Sequence, residues 1–95
     1  MLIHETRETV ATRAKYRCEV CGKPTPMNEG QLAHRIPQRK WCIKKWGIDV
    51  IHHPLNMAWT CGLACNNIVS IGGWPVRQAE LVEEIREAMN ESVSE

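Results

Sequence analysis

Two cysteine pairs constrain this 95-residue chain more than any other feature it carries. Cys18-Glu19-Val20-Cys21 has the spacing of a knuckle, in which a tight turn brings two sulfurs to one metal. Cys61-Gly62-Leu63-Ala64-Cys65 is a second pair, one residue longer. Four sulfurs complete a tetrahedral zinc site. Cysteine pairs also form disulfides, and single cysteines serve as small apolar core residues. Met1-Leu2-Ile3 runs straight into His4-Glu5-Thr6-Arg7, so no export signal or membrane span is expected. A reducing, cytoplasmic location follows as the expectation, and there the pairs favour metal over disulfide. Cys42, the fifth cysteine, has no partner in sequence and reads as a semi-buried small residue of a helix.

A metal staple suits so short a chain. One domain covering residues 1–95 is expected, with a poor ratio of core to surface. Four Trp, one Tyr and no Phe leave the core to Val, Ile, Leu and Ala, and zinc would contribute folding energy that such a core lacks. Four thiolates and one divalent zinc would also turn the formal net charge of +1 into −1. A globally cationic protein is thereby excluded, so any contact with nucleic acid has to come from local patches. Residues 31–48 form such a patch: Arg35, Arg39, Lys40, Lys44 and Lys45 occur there with no acidic residue. The stretch 79–95, in contrast, holds six Glu and one Arg and reads as a solvated helix face.

Periodicity places the elements. Residues 6–15 read as a helix, with Val10 and Ala14 one turn apart and Ile3 just ahead. Gly22-Lys23-Pro24-Thr25-Pro26 and Asn28-Glu29-Gly30 are turn chemistry, so the next element starts near Gln31. Residues 31–36 read as a short strand. Pro37 as a first residue and Gly47 as a stop bound a short basic helix over 38–46, with Trp41 and Trp46 expected to pack beneath it. Residues 56–60 read as a second strand, antiparallel to the first. A helix begins at Cys65 and is broken by Gly72-Gly73. From Pro75 to about residue 90 a longer helix carries Val82, Ile85 and Met89, flanked by Leu81 and Ala88, as an apolar stripe for the core.

The order of these motifs resembles the HNH endonucleases of the ββα-metal, or His-Me finger, group. The resemblance rests on Tyr16-Arg17-Cys18, Cys21-Gly22, the strand carrying His34 and ending in Ile36-Pro37, then Asn56, Cys61 and Cys65-Asn66. It covers roughly residues 7–70 and leaves the C-terminal helix outside. The fold it implies is α+β: a small zinc-stapled ββα-metal domain with flanking N- and C-terminal helices. The activity it implies is metal-dependent hydrolysis of DNA phosphodiester bonds, by cleavage or nicking.

Roles carry over from that resemblance residue by residue. His34 matches the general base that takes a proton from the attacking water, a task suited to an imidazole whose ordinary pKa lies near 6.5. Asn56 matches the middle Asn, whose amide ties the catalytic loop to the hairpin by donating and accepting at once. Asn66 falls where a ligand to the catalytic magnesium or manganese is placed, and its carbonyl is a hard oxygen suited to either ion. Cys18, Cys21, Cys61 and Cys65 would hold the separate structural zinc. Ala33 departs from the pattern: many members place Asp or His there as a second ligand, and a methyl group cannot coordinate. Asn67, His52 or His53 are the available substitutes, His53 as a contact to the phosphate or the ion.

The basic residues Arg35, Arg39, Lys40, Lys44 and Lys45 match the footprint of a phosphate-backbone contact, with duplex or branched DNA as the partner. Few base-edge contacts are expected from a hairpin plus helix, so sequence specificity is expected to be low unless a partner protein supplies it. Phage DNA processing, restriction and mobile-element homing all use such domains, and the oligomeric state is left open. The competing reading is a zinc-stabilised nucleic-acid-binding module on the same scaffold, its catalysis weakened by Ala33. A protein-binding zinc module using the acidic helix is a third.

Overall fold

The computed structural model describes the backbone of residues 3–93 and the side chains of residues 6–90. Ile3, Glu91 and Glu95, which entered the helix and charge readings, therefore have side chains outside the described residues. Helix α1 (Ile3–Arg13) is followed by the cysteine knuckle, strand β1 (Gln31–His34), helices α2 (Lys40–Trp46) and α3 (Ile48–Ile51), and a 3-10 turn at Pro54–Asn56. Strand β2 (Met57–Thr60), helix α4 (Leu63–Val69) and helix α5 (Pro75–Val93) complete the chain. An α+β architecture with an antiparallel pair of strands is thus present. No helix among the described residues is long and apolar enough to cross a membrane.

The two strands pair Gln31 with Thr60, Leu32 with Trp59, Ala33 with Ala58 and His34 with Met57. Alternation then sorts the side chains onto two faces. Leu32, Trp59 and Met57 pack on Val10 and Ala11 of α1. Ala33 and Ala58 pack on Val69 of α4. The paired alanines let α4 approach the sheet closely. Ala33 is fully buried, so its methyl group has a packing role on the face where the resemblance expects a ligand.

Several boundaries differ from the sequence reading, each for a local reason. Strand β1 stops at His34 because Arg35 N–H donates to Asn56 O and the Ile36 backbone is taken by the Asn56 side chain. Helix α2 starts at Lys40, two residues later than expected, and ends at Gly47, whose φ of 96° favours glycine. Residues 48–55, read as connection, hold α3 and most of the 3-10 turn, which takes in Asn56, so β2 starts one residue later than expected. Trp46 packs on the core and donates its indole N–H to Gln78 Oε1 at 3.1 Å. Trp41 does not pack beneath α2 and is 48% exposed.

The second core lies beside the hairpin. Ile36, Cys42, Val50 and Ile51 meet Leu81, Val82 and Ile85 of α5, so the apolar stripe is buried as its spacing predicts. Cys42 is fully buried in this cluster. That corrects the semi-buried placement, and burial pushes its thiol up from the usual cysteine range. Gln78 clamps the start of α5, donating to Ile71 O and Gly72 O while accepting from Trp46.

Candidate functional site

The cysteines converge because α1 and the hairpin hold both pairs. After α1, Lys15 and Tyr16 both adopt φ of 57°, turning the chain into the knuckle, and Gly22 at φ 79° closes the turn. Cys21 N–H donates to Cys18 Sγ at 3.5 Å. Glu19 N–H donates to Trp59 O, and Trp59 N–H donates to Glu19 Oε2 at 2.7 Å, which pins the knuckle to β2. Arg13 reinforces the joint through its ion pair with Glu19 at 3.2 Å. Gly30 approaches the Trp59 ring so closely that a Cβ there would overlap it.

All four sulfurs of Cys18, Cys21, Cys61 and Cys65 lie within 4.8 Å of one another. Cys21 and Cys61 are 3.6 Å apart, and Cys61 and Cys65 3.7 Å. A disulfide requires about 2.05 Å, and all four are free thiols. A tetrahedral ion with metal–sulfur bonds of about 2.3 Å sets its sulfurs about 3.8 Å apart. The four cysteines thus fit one metal ion such as zinc. Burial would raise the Cys18 thiol, but hydrogen bonds from the backbone of Cys21, Val20 and Cys61 overcome it and bring it to about 6. Hydrogen bonding to Cys18 and then Cys61 pushes Cys65 up to about 12. Four sulfurs this close resist ionising together unless a cation offsets their charge.

At the opposite end of the hairpin the chain is fixed by an amide. Asn56 is fully buried. Its Oδ1 accepts from Ile36 N–H at 2.9 Å, while its Nδ2 donates to Ile36 O at 3.1 Å and to Ile51 O at 2.8 Å. One side chain therefore ties the segment after His34 to α3, which is the arrangement a positioning amide needs.

His34, at the end of β1, opens onto a cleft of about 570 Å³ lined also by Arg7, Gln31, Gln38, His52 and Asn66. Its two ring nitrogens differ. Nε2 is sealed from solvent and has no hydrogen-bond partner among the described residues. Nδ1 meets the amide Nε2 of exposed Gln38 at 3.2 Å. With that amide as donor, the lone pair lies on Nδ1 and the proton on Nε2. Burial, and then the nearby charge of His52, lower the His34 pKa below the usual histidine value. The His52 ring stands edge-on, 5.5 Å away between centroids. Gln38 is the cleft residue that sequence reasoning misses, and its place four residues after a histidine at a strand end is the signal that could have found it.

Asn66 lines this same cleft from α4. Its Nδ2 donates to Gln31 Oε1 at 3.3 Å, and among the described residues its Oδ1 makes no hydrogen bond. Asn67 joins His34, Asn66 and Arg39 along an adjoining groove. His53 does not line the His34 cleft; it lies in a neighbouring groove with Ile48, Asp49 and Met89, which His52 also lines. Its Nδ1 is occupied by Leu55 N–H at 3.1 Å, so of the substitutes for Ala33 it is the one the fold leaves apart.

The basic residues divide as well. Arg39, Lys40, Lys44 and Lys45 are exposed on and beside α2, and among the described residues none is paired with a carboxylate. Lys45 Nζ lies 4.8 Å from the centroid of the Trp46 ring. Arg35 departs from the group: it lines a groove with Arg13, Glu19, Arg77 and Glu84, away from the His34 cleft. Arg35 lies beyond the end of β1, with its N–H given to Asn56 O. Comparison with protein-family models, with curated proteins and with solved structures returned no match.

Proposed function

We propose that this chain is a small metal-dependent DNA endonuclease or nicking enzyme, built on a zinc-stapled scaffold of the HNH type. The observation that carries the reading is the asymmetry of His34: one nitrogen sealed in the protein, the other turned to an open cleft that also holds Asn66. A general base needs a lone pair at an accessible nitrogen and a neutral ring at working pH. Nδ1 supplies the first, and the lowered pKa supplies the second. Gln38 has to swing aside from Nδ1 so that a water can take its place. The water passes a proton to Nδ1, its oxygen attacks phosphorus, and the leaving oxygen departs on the opposite side.

Asn66, through Oδ1, is the residue that would hold magnesium or manganese, with water and substrate oxygens completing the shell. Such an ion, when bound, stabilises charge growing on the phosphate and the leaving oxygen. Cys18, Cys21, Cys61 and Cys65 would hold structural zinc. Asn56 keeps His34 aligned and touches no substrate.

A second reading has one observation in its favour. Ala33 is fully buried against α4, so the cleft receives no ligand from that position, as expected of a nucleic-acid-binding module with weakened catalysis. A plasmid-nicking assay with magnesium, manganese or chelator separates the two. His34→Ala should lower cleavage by at least about a hundredfold while zinc content and DNA binding persist. Equal cleavage by wild type and variant would remove His34 from the mechanism. No cleavage by either, with DNA still bound, would favour the binding module.

A further inference from the structure

Four indoles occur in this chain, and the fold accounts for two of them. Trp59 is buried, with its Nε1 donating to Thr25 O at 2.8 Å. Trp46 packs on the second core and donates to Gln78. Trp74, 66% exposed, lies in an apolar groove with Ile68 and Ile71 and no charged side chain. Trp41 differs from Trp59 and Trp46 in its exposure, and from Trp74 in the cations beside it. It is 48% exposed, its indole makes no hydrogen bond among the described residues, and it shares the exposed surface of α2 with Lys40, Lys44 and Lys45.

We propose that Trp41 is a base-stacking platform that selects DNA with unpaired bases at the scissile position, single-stranded or at a branch. Charge complementarity names a polyanion as the occupant, because the cations of this surface have no carboxylate partner among the described residues. The indole narrows the choice. A duplex presents sugars and phosphates to a surface helix, whereas an unstacked base presents a π-face, and stacking on an aromatic beside cations is the sequence-tolerant way to bind it. Position ties the platform to the cleft: Arg39, two residues before Trp41, lines the groove shared with His34 and Asn66. In this proposal a strand held at His34 continues past Arg39 onto the exposed surface of α2, where Trp41 takes a neighbouring base. An anionic membrane is the weaker fit, since α2 has only seven residues and offers one exposed indole.

This inference rests on the nucleic-acid reading of the cleft but not on catalysis, so binding tests it separately. Fluorescence anisotropy of labelled single-stranded and duplex oligodeoxynucleotides is measured with zinc-loaded protein and no added magnesium or manganese. Trp41→Ala should weaken single-strand binding about tenfold, within the roughly 5- to 150-fold range for removal of one stacked base. Duplex binding should change little, and Trp41→Phe should recover most of the deficit. Zinc content and circular dichroism confirm that each variant is folded. An equal weakening on both substrates, or none on either, overturns the proposal. So does Trp41-dependent binding to anionic vesicles without preference for single strands. Trp41-dependent binding by a protein that never nicks DNA would sustain this inference and sink the nuclease reading; cleavage indifferent to Trp41→Ala would do the reverse.

Discussion

The cysteine cluster and the Asn56 clamp behind His34 lie at opposite ends of the same short hairpin, with the cleft running between them, and different physics holds each end in shape. Beside the Gln31–Thr60 pair, shape is set by four sulfurs that fit one ion. Beside the His34–Met57 pair, it is set by a buried amide and by side chains from α3 and α5. The first is concentrated, so one substitution removes the whole arrangement. The second is distributed, so single substitutions should grade from severe to slight.

The largest effect is expected at the cysteine end. Cys61→Ser removes one of four ligands and should release zinc and unfold the domain. Structural zinc contributes about 10–16 kcal/mol in small zinc-bound peptides, against a total stability of about 5–15 kcal/mol for a domain. Metal analysis and circular dichroism check this, and full ellipticity without metal would show that the staple is dispensable. Cys42→Ser is the matched control. It should keep zinc but cost about 1–3 kcal/mol, because a hydroxyl enters the second core without a partner.

Next comes the amide that holds the other end. Asn56→Ala leaves Ile36 N–H, Ile36 O and Ile51 O without their partner in a buried site. Each unsatisfied group costs about 1–3 kcal/mol, so urea denaturation should show a drop of about 3 kcal/mol or more with zinc retained. A drop below about 1 kcal/mol would mean that water or backbone shifts replace the amide, and it would widen the contrast with the cysteine end.

The contrast between the ends also explains what was legible in the sequence. Cysteine pairs announce themselves by spacing, the α5 stripe by its period, and the strand pairing by two short runs flanking a connection. The His34 cleft is assembled from residues whose partners lie far along the chain, so spacing carries little of it. The split of Arg35 from Arg39, Lys40, Lys44 and Lys45 depends on where β1 ends. That end is set by Asn56, twenty residues later in the bond to Ile36. The exposure of Trp41 follows from which residues of α2 meet the second core: Cys42, Ile43 and Trp46 face it, and Trp41 does not. Nothing local in residues 48–56 signals α3, whose apolar residues are fixed by contact with α5.

A smaller effect separates the two ends by pH. Burial lowers the pKa of both His34 and His53 in the folded protein, with His52 adding to the effect on His34. In the unfolded chain each titrates near about 6.5. As pH falls through that value the unfolded chain takes up protons that the folded chain does not. The stability contribution is therefore complete above about 6.5 and declines as pH falls toward the folded values. Zinc release on acidification adds to the same trend, so the informative comparison is with His34→Gln. Its urea midpoint should fall less than that of wild type between about pH 7.5 and about pH 5. Equal falls would assign the acid response to the cysteine end and His53.

The slightest structural effect, and the cleanest division of labour, is expected on α2. Replacing Arg39, Lys40, Lys44 and Lys45 together by Gln touches neither the sulfurs nor Asn56, so fold and zinc content should be unchanged. Binding to DNA should weaken and depend less steeply on salt, by up to about one unit of slope for each phosphate that is no longer neutralised. Turnover at saturating DNA should fall much less than affinity. The arginines near the N terminus offer no ready substitute. Arg7 donates to Met27 O and Gly30 O and lies over the Trp59 ring. Arg13 is held by Pro54 O, Met57 O and Glu19, and Arg17 by Gly22 O. These three guanidinium groups hold α1 and the knuckle in place, whereas the cations of α2 have no acidic partner among the described residues. An unchanged salt slope in the fourfold variant would therefore mean that DNA displaces internal contacts of α1, and it would move the nucleic-acid surface from α2 to α1 and the knuckle.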